Sequence, residues 1–282
     1  MRFFRRIGEL KGWKRFGFEV GIIAIGLGIT LIAQELITNA SRARETRQAV
    51  DAVEVELVQI WFFANERAAL EPCRRAQFEA LSERLRRADA HWTPDGLEQP
   101  SQSSDVYMLP SVFRTPLRPF PDMSWQALLT SNAATELDRA QFATLGNIFN
   151  IVAEMRGLQV EAWRLKGRLA HLSVAGPMSA SERRTAYDAF GELAAIEALV
   201  AADAIDLGRA IATIDFRNER IFDPALSGLS AEEFEAALLA QIAGAQASFG
   251  ACYDASQHQL LFDLYNRVTG SNLTIPPREV AP

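Results

Sequence analysis

Apolar residues recur along most of this chain at alternating intervals of three and four, the period of helices that bury one face, and no strand-like two-residue alternation competes. Val50, Val53, Leu57, Ile60 and Ala64 form one such seam, which predicts a helix running to about Leu70. Glu71-Pro72 then reads as a turn, with the proline at the first position of a second helix over 72–90. That helix carries Phe78, Leu81, Leu85 and Ala88 on one face. A third seam, Ile148, Ile151, Met155, Leu158, Ala162, Leu165, Leu169 and Leu172, follows Asp138, a suitable N-cap, and stops at Gly176-Pro177.

Ser179-Ala-Ser-Glu182 has the capping-box pattern and opens a helix striped by Phe190, Leu193, Val200, Ala204, Leu207, Ile211 and Ile214. Glu197 interrupts that stripe; the reading adopted is that the stripe drifts to Ile196 and the carboxylate reaches solvent. Ser230-Ala-Glu-Glu233 repeats the capping pattern before one last helix with Phe234, Leu238, Ile242, Ala245, Phe249, Cys252, Leu260, Leu264 and Val268. Gly270 is its terminator, and residues 271–282 are expected to be a flexible tail.

The helical period lapses over residues 93–122, which hold six of the chain's 12 prolines and the polar run Glu98–Asp105. The second half of this excursion, with Tyr107, Met108, Leu109, Val112, Phe113, Leu117 and Phe120, is too apolar for a free linker and is expected to pack across the bundle. Asp122 is placed to cap a short helix over 123–131 containing Trp125, Leu128 and Leu129.

Ahead of the first seam stands a run of a different kind, Phe16–Thr38. Its uncharged core, Val20–Gln34, is 15 residues, short of the roughly 20 that cross a hydrocarbon layer. With both flanks it reaches 23, and Glu19 and Glu35 then fall near the interfaces, where a carboxylate is tolerated. The rival is a cleaved secretory signal ending at Thr38-Asn39-Ala40. The long preceding segment, Glu35 and the unbroken helical pattern into 41–70 favour a retained anchor. Gly17, Gly21, Ala24 and Gly28 share one face of this span, a surface on which a second membrane helix can pack closely.

Charge sets the orientation. Arg2, Arg5, Arg6, Lys11, Lys14 and Arg15 precede the span, and only Arg42, Arg44 and Arg47 follow closely, so the N-terminus is expected in the cytoplasm and the rest in a bacterial periplasm. Residues 1–15, with Phe3, Phe4, Ile7, Leu10 and Trp13 among these cations, read as a basic amphipathic segment at the lipid headgroups. Residues 1–19 carry net +4, and the remainder, with 23 basic and 33 acidic residues, carries net −10. An acidic domain on a basic anchor suits a membrane surface and excludes a nucleic-acid partner.

The two cysteines, Cys73 and Cys252, are a disulfide pair if the compartment is oxidising and two buried thiols if it is not. Antiparallel helices would bring them to similar heights. His91, His171 and His258 are too far apart for metal-ligand spacing. No Gly-rich phosphate loop, nucleophile elbow or zinc-protease motif occurs, so no cofactor and no catalytic residue is assigned. Glu54/Glu56 and Glu232/Glu233 read as solvated helix faces and capping groups.

These pieces assemble into an all-α chain: a transmembrane helix over 16–38 continuing into an elongated antiparallel four- to five-helix bundle over 39–270, with helices about 50 Å long. The stretches Phe18–Leu36, Leu70-Glu-Pro-Cys73, Arg114–Pro119 and Trp125–Ser131 resemble bacterial single-pass membrane proteins of unknown function, which have a basic N-terminus, one span and a helical exterior domain. The resemblance implies topology and no active site. The functional expectation is a non-catalytic, membrane-anchored periplasmic interaction or accessory protein, partnered by the bilayer and by another membrane protein or a second copy through the span. The alternative is a ligand-binding, sensor-like bundle that signals through a partner membrane protein.

Overall fold

The computed structural model describes residues 13–87, 89–94, 111–113, 115, 118–216, 221–223, 228–249 and 252–276; for 13–19, 22–26, 28–29, 72, 111 and 248 it describes the backbone alone. The described chain is predominantly helical. Its elements are α1 (Trp13–Arg86), β1 (His91–Trp92), α2 (Met123–Thr130), α3 (Ala133–Glu136), α4 (Arg139–Leu169), β2 (Gly176–Pro177), α5 (Ala180–Ala212), α6 (Ala231–Phe249) and α7 (Gln259–Thr269), with single 3-10 turns at 111–113, 170–173 and 255–258.

The organising element is α1, 74 residues and about 110 Å long at 1.5 Å per residue. The turn expected at Glu71-Pro72 does not form. Proline removes one amide from the helical ladder, but three things hold the helix together across it. Arg75 donates to Glu71 one turn back, at 2.9 Å from Nε. The backbone amide of Asp254 donates to the Ala69 carbonyl at 3.0 Å, within the turn the proline weakens. Phe78, Leu81 and Leu85 extend the buried face of Leu57, Ile60 and Ala64 without a change of side, so breaking the helix would strand them.

From residue 50 upward α1 packs against α5, and α5 packs against α4. The pairing of α1 with α5 is antiparallel: Gly208 faces Trp61, Glu197 faces Arg67, and Arg183 donates to the Asp89 carbonyl. From Leu27 to Glu45 the described side chains of α1 are exposed. Among the described residues no helix is long and apolar enough to cross a membrane. The side chains of 16–19, 22–26 and 28–29, which carry much of the expected span, lie outside the described set, and so do those of Gly17, Ala24 and Gly28; Gly21 is half-buried, and a Cβ built there meets nothing within 4 Å. Of the amphipathic segment expected over 1–15, residues 1–12 lie outside the described residues, and α1 begins at Trp13.

Local caps form largely as the sequence predicts. Asp138 accepts the amides of Ala140 and Gln141, Ser179 and Glu182 complete a capping box, and Ser230 and Glu233 exchange the same two bonds. Gly270 ends α7 at φ 73°, a left-handed conformation that glycine adopts at no steric cost. Asp122 differs: its side chain makes no cap bond and pairs with Arg156 at 2.6 Å. The start of α2 is capped from another helix, because Glu56 of α1 accepts the amides of Ser124 (3.1 Å) and Trp125 (3.3 Å). Glu54 and Glu56 are therefore buried and not a solvated face.

The excursion after α1 packs as expected where it is described. Val112, Phe113 and Phe120 are core residues, while Tyr107, Met108, Leu109 and Leu117 lie outside the described residues, as does Ala88. The sequence pattern missed a small antiparallel pairing of β1 with β2, His91 opposite Pro177 and Trp92 opposite Gly176; it is pinned by Trp92 Nε1 donating to the Leu172 carbonyl at 2.8 Å. The single last helix resolves into α6 and α7. Between them Asp254 turns its side chain to the Ser256 amide and its own amide to α1, bonds a continuous helix could not make. Residues 271–276, expected to be flexible, are tied down: Asn266 exchanges two bonds with Leu273, and Ser271 donates to Glu235 at 2.7 Å.

His258 is fully buried at this junction, against the Phe62 ring and with Nε2 2.7 Å from the Tyr253 hydroxyl. Burial pushes its pKa down to about 4, only partly offset by Asp254. The unfolded chain takes up this proton near pH 6.5 and the folded chain only near 4, so stability is lost as pH falls across that window. The full loss is about 3 kcal/mol at about 1.36 kcal/mol per pKa unit. Urea unfolding midpoints measured between about pH 7.5 and 4 should fall accordingly, and His258→Gln should flatten the slope; an unchanged slope in that variant would assign the acid sensitivity elsewhere.

Candidate functional site

Two apolar cores lie along the bundle. The lower joins α1 up to Leu70 with α4 up to Met155 and α5 from Val200 onward; the upper joins Phe78–Leu85 of α1 with Ala162–Leu169 of α4 and Ala186–Leu193 of α5. Between them is a layer of buried polar side chains: Asn65, Glu66, Arg67, Gln159, Lys166 and Glu197. Each occupies a position that its helix turns inward. Arg67 and Arg74 continue the seam Leu57, Ile60, Ala64 toward Phe78, and Glu197 stands four residues after Leu193 and three before Val200. The expectation that Glu197 reaches solvent is therefore wrong: it is 4% exposed, because the helical period holds it on the core face and cations from two other helices meet it there.

Glu197 is the hub of the layer. Lys166 Nζ lies 2.5 Å from Oε1, and the guanidinium groups of Arg67 and Arg74 lie 3.6 and 3.7 Å from Oε2. Lys166 also donates to Thr115 at 2.9 Å, which ties the Pro-rich excursion to the layer. Burial alone would raise the Glu197 carboxyl, but Arg67, Lys166 and Arg74 together outweigh it and hold the pKa at about 2. Burial lowers Lys166 to about 8 against the pull of Glu197, and lowers Arg74 to about 10. Arg67 is lowered too, by burial, with Glu197 and Glu66 opposing. A second pair stands alongside, in which Arg118 grips Glu66 through two bonds of 2.6 and 2.8 Å and lies 5.5 Å over the Phe63 ring.

This layer opens into a cavity of about 350 Å³ between α1 and α5. Arg67, Arg74 and Glu197 line its polar end; Leu70, Phe78, Phe190 and Val200 are among its apolar walls, and Tyr187, Gly191, Glu79 and the Glu71–Arg75 pair also border it. Glu197 is held ionised far below neutral pH, which suits a fixed counter-charge and not a general base, whose pKa belongs near the working pH. The arrangement can hold charge and exclude water; among the described residues it presents no nucleophile–base pair. Among those residues, too, no group of three His, Cys, Asp or Glu side chains could hold a metal ion.

Of the residues singled out from sequence, Cys73 and Cys252 are brought to disulfide distance, 5.0 Å between Cα atoms, immediately beside Arg74. The Gly17, Gly21, Ala24 and Gly28 face lies on the part of α1 remote from this layer. Sequence reasoning misses Arg67, Arg74 and Lys166. The available signal is their spacing, since Arg67 and Arg74 sit seven residues apart on the α1 seam, and Gln159 and Lys166 sit seven apart on α4. Compared with family models, with curated proteins and with solved structures, the chain matches none.

Proposed function

We propose that this chain is a membrane-anchored interaction or accessory protein, non-catalytic, of the single-pass kind it resembles, with its N-terminus in the cytoplasm and its helical bundle in a bacterial periplasm. The observation that carries the reading is the lower part of α1. Leu27, Leu31, Ile32, Leu36 and Ile37 project from it at 60–71% exposure, and no other part of the described chain covers them. A run of apolar side chains on an otherwise bare helix requires an apolar partner, and lipid supplies one. The same helix continues without a break into the bundle, so anchor and domain form one rod. In this reading the partners are the bilayer and a second helix along Gly17, Gly21, Ala24 and Gly28, from another membrane protein or another copy, and no nucleic acid. A cystine at Cys73 and Cys252 suits an oxidising compartment.

The expected result is that the chain stays with membranes through an alkaline carbonate wash, that alkaline phosphatase fused after Leu70 is active, and that crosslinking in membranes traps a partner chain. Release by carbonate would overturn the anchor. An inactive fusion would overturn the orientation, and a solitary chain after crosslinking would overturn the interaction role.

A further inference from the structure

We propose that a second cavity, lined by α1, α6 and α7 in the lower core, is a binding site for a small uncharged amphiphile, with an apolar body along Phe62, Phe234 and Leu238 and a hydroxyl or carbonyl head toward Gln59 and Gln241. Two observations carry this: an apolar space that the fold holds open, and a lining that offers a charged head no counter-charge. The cavity measures about 410 Å³, within the range of ligand pockets, about 300 to 1,000 Å³. Packed cores leave few voids larger than a water molecule, yet Val55 and Val58 of α1 and Phe234 and Leu238 of α6 stay only half-buried around this one.

Helix α6 does not settle into this space because it is fixed near both ends. Near its start Glu235 accepts the hydroxyls of Tyr265 (2.9 Å) and Ser271 (2.7 Å), and the Phe234 ring stacks on that of Tyr265 at 6.2 Å. Just past its end Cys252 meets Cys73 of α1 at disulfide distance. Phe222 packs edge-on to the same Tyr265 at 5.0 Å, so one wall is a row of three mutually braced rings. A preformed space of this kind takes up a ligand without the cost of ordering its walls. Among the described residues no lysine, arginine or histidine lines it, so an anionic head would be buried without a counter-charge. Asp223, the carboxylate on its lining, already has a partner, so a cationic head gains no vacant ion pair. Gln59 and Gln241 are exposed neutral amides at the opening, chemically suited to a hydroxyl or carbonyl. The site does not depend on the membrane reading, because every residue in it lies at or beyond Val55.

The test is calorimetric titration of the full chain in neutral-lipid nanodiscs, with empty nanodiscs as the blank, using 4-phenylbutanol and its two charged analogues, 4-phenylbutyrate and 4-phenylbutylamine. The alcohol should bind one to one, and each analogue about tenfold more weakly or worse, the result of burying a charge without a partner. Two variants fill the cavity from different helices, Ala237→Trp on α6 and Val58→Phe on α1. Ala237 is exposed, so the added ring enters the opening without displacing the core. Each variant that keeps its unfolding midpoint should bind the alcohol about tenfold more weakly or worse. Gly191→Leu is the control for the cavity between α1 and α5: a Cβ built there meets nothing within 4 Å, and binding should be unchanged. The proposal is overturned if the alcohol does not bind at millimolar concentration, which would make the space a packing void only, or if either charged analogue binds as tightly. It is overturned as well if a folded cavity-filling variant binds like the wild type, or if Gly191→Leu abolishes binding.

Discussion

Glu197→Gln is expected to destabilise the chain by about 3–5 kcal/mol, the cost of removing one partner from a buried ionic group and leaving uncompensated charge behind. The substitution is nearly isosteric, so packing is not the cause. Arg67, Arg74 and Lys166 lose the carboxylate they share, in a layer with apolar cores on either side. Lys166→Met should cost less, because Glu197 keeps two guanidinium groups beside it. The pH dependence gives an independent readout. The folded carboxyl titrates at about 2 and the unfolded one near 4.5, so its contribution is fully present above pH 4.5 and is lost as pH falls toward 2. The variant should lack that part of the acid limb. Denaturant unfolding of the two single variants decides the matter: equal costs, or a larger cost for Lys166→Met, would show that Glu197 is not the hub.

The second large effect is expected from the cysteines. Cys73 and Cys252 are separated by 179 residues, and a cystine there closes most of the helical bundle into one loop. The chain-entropy model assigns such a closure about 5 kcal/mol, and measured losses of native disulfides run at about 2–5 kcal/mol. At about 2–4 °C per kcal/mol for a domain of this size, reduction or Cys73→Ser should lower the melting temperature by about 10 °C. Cys252→Ser should do the same, and the double variant should be no worse than either single one, because the two residues act as a unit. Unreduced protein that labels at both thiols and melts like the serine variants would refute the bond. The link also has a local role. With the Asp254 amide on the Ala69 carbonyl, it clamps the junction before α7 to the proline turn of α1.

Much of the fold was legible because it is written within a few residues. Three-and-four spacing placed α4 and α5 with their buried faces, Asp138, Ser179 and Ser230 announced helix starts, and Gly270 announced an end. Even within the Pro-rich excursion, apolar content alone marked Val112, Phe113 and Phe120 as core. The candidate site was not legible in this way. A turn read at Pro72 cuts the α1 seam in two, so Arg67 and Arg74 do not stand out as successive inward positions of one helix. With no cations placed opposite it, Glu197 reads as a solvent-facing carboxylate.

What the sequence determined by itself is the helical class, most helix boundaries, the presence of an apolar run ahead of the first seam and the presence of two pairable cysteines. What only the tertiary structure decided is the continuation of α1 through Pro72, the break before α7, the capping of α2 by Glu56 and the charged layer around Glu197. The division has one physical cause. Caps and apolar periods are satisfied by neighbours within about a turn, whereas a proline tolerated in mid-helix or a carboxylate tolerated in a core depends on partners that only folding brings within reach.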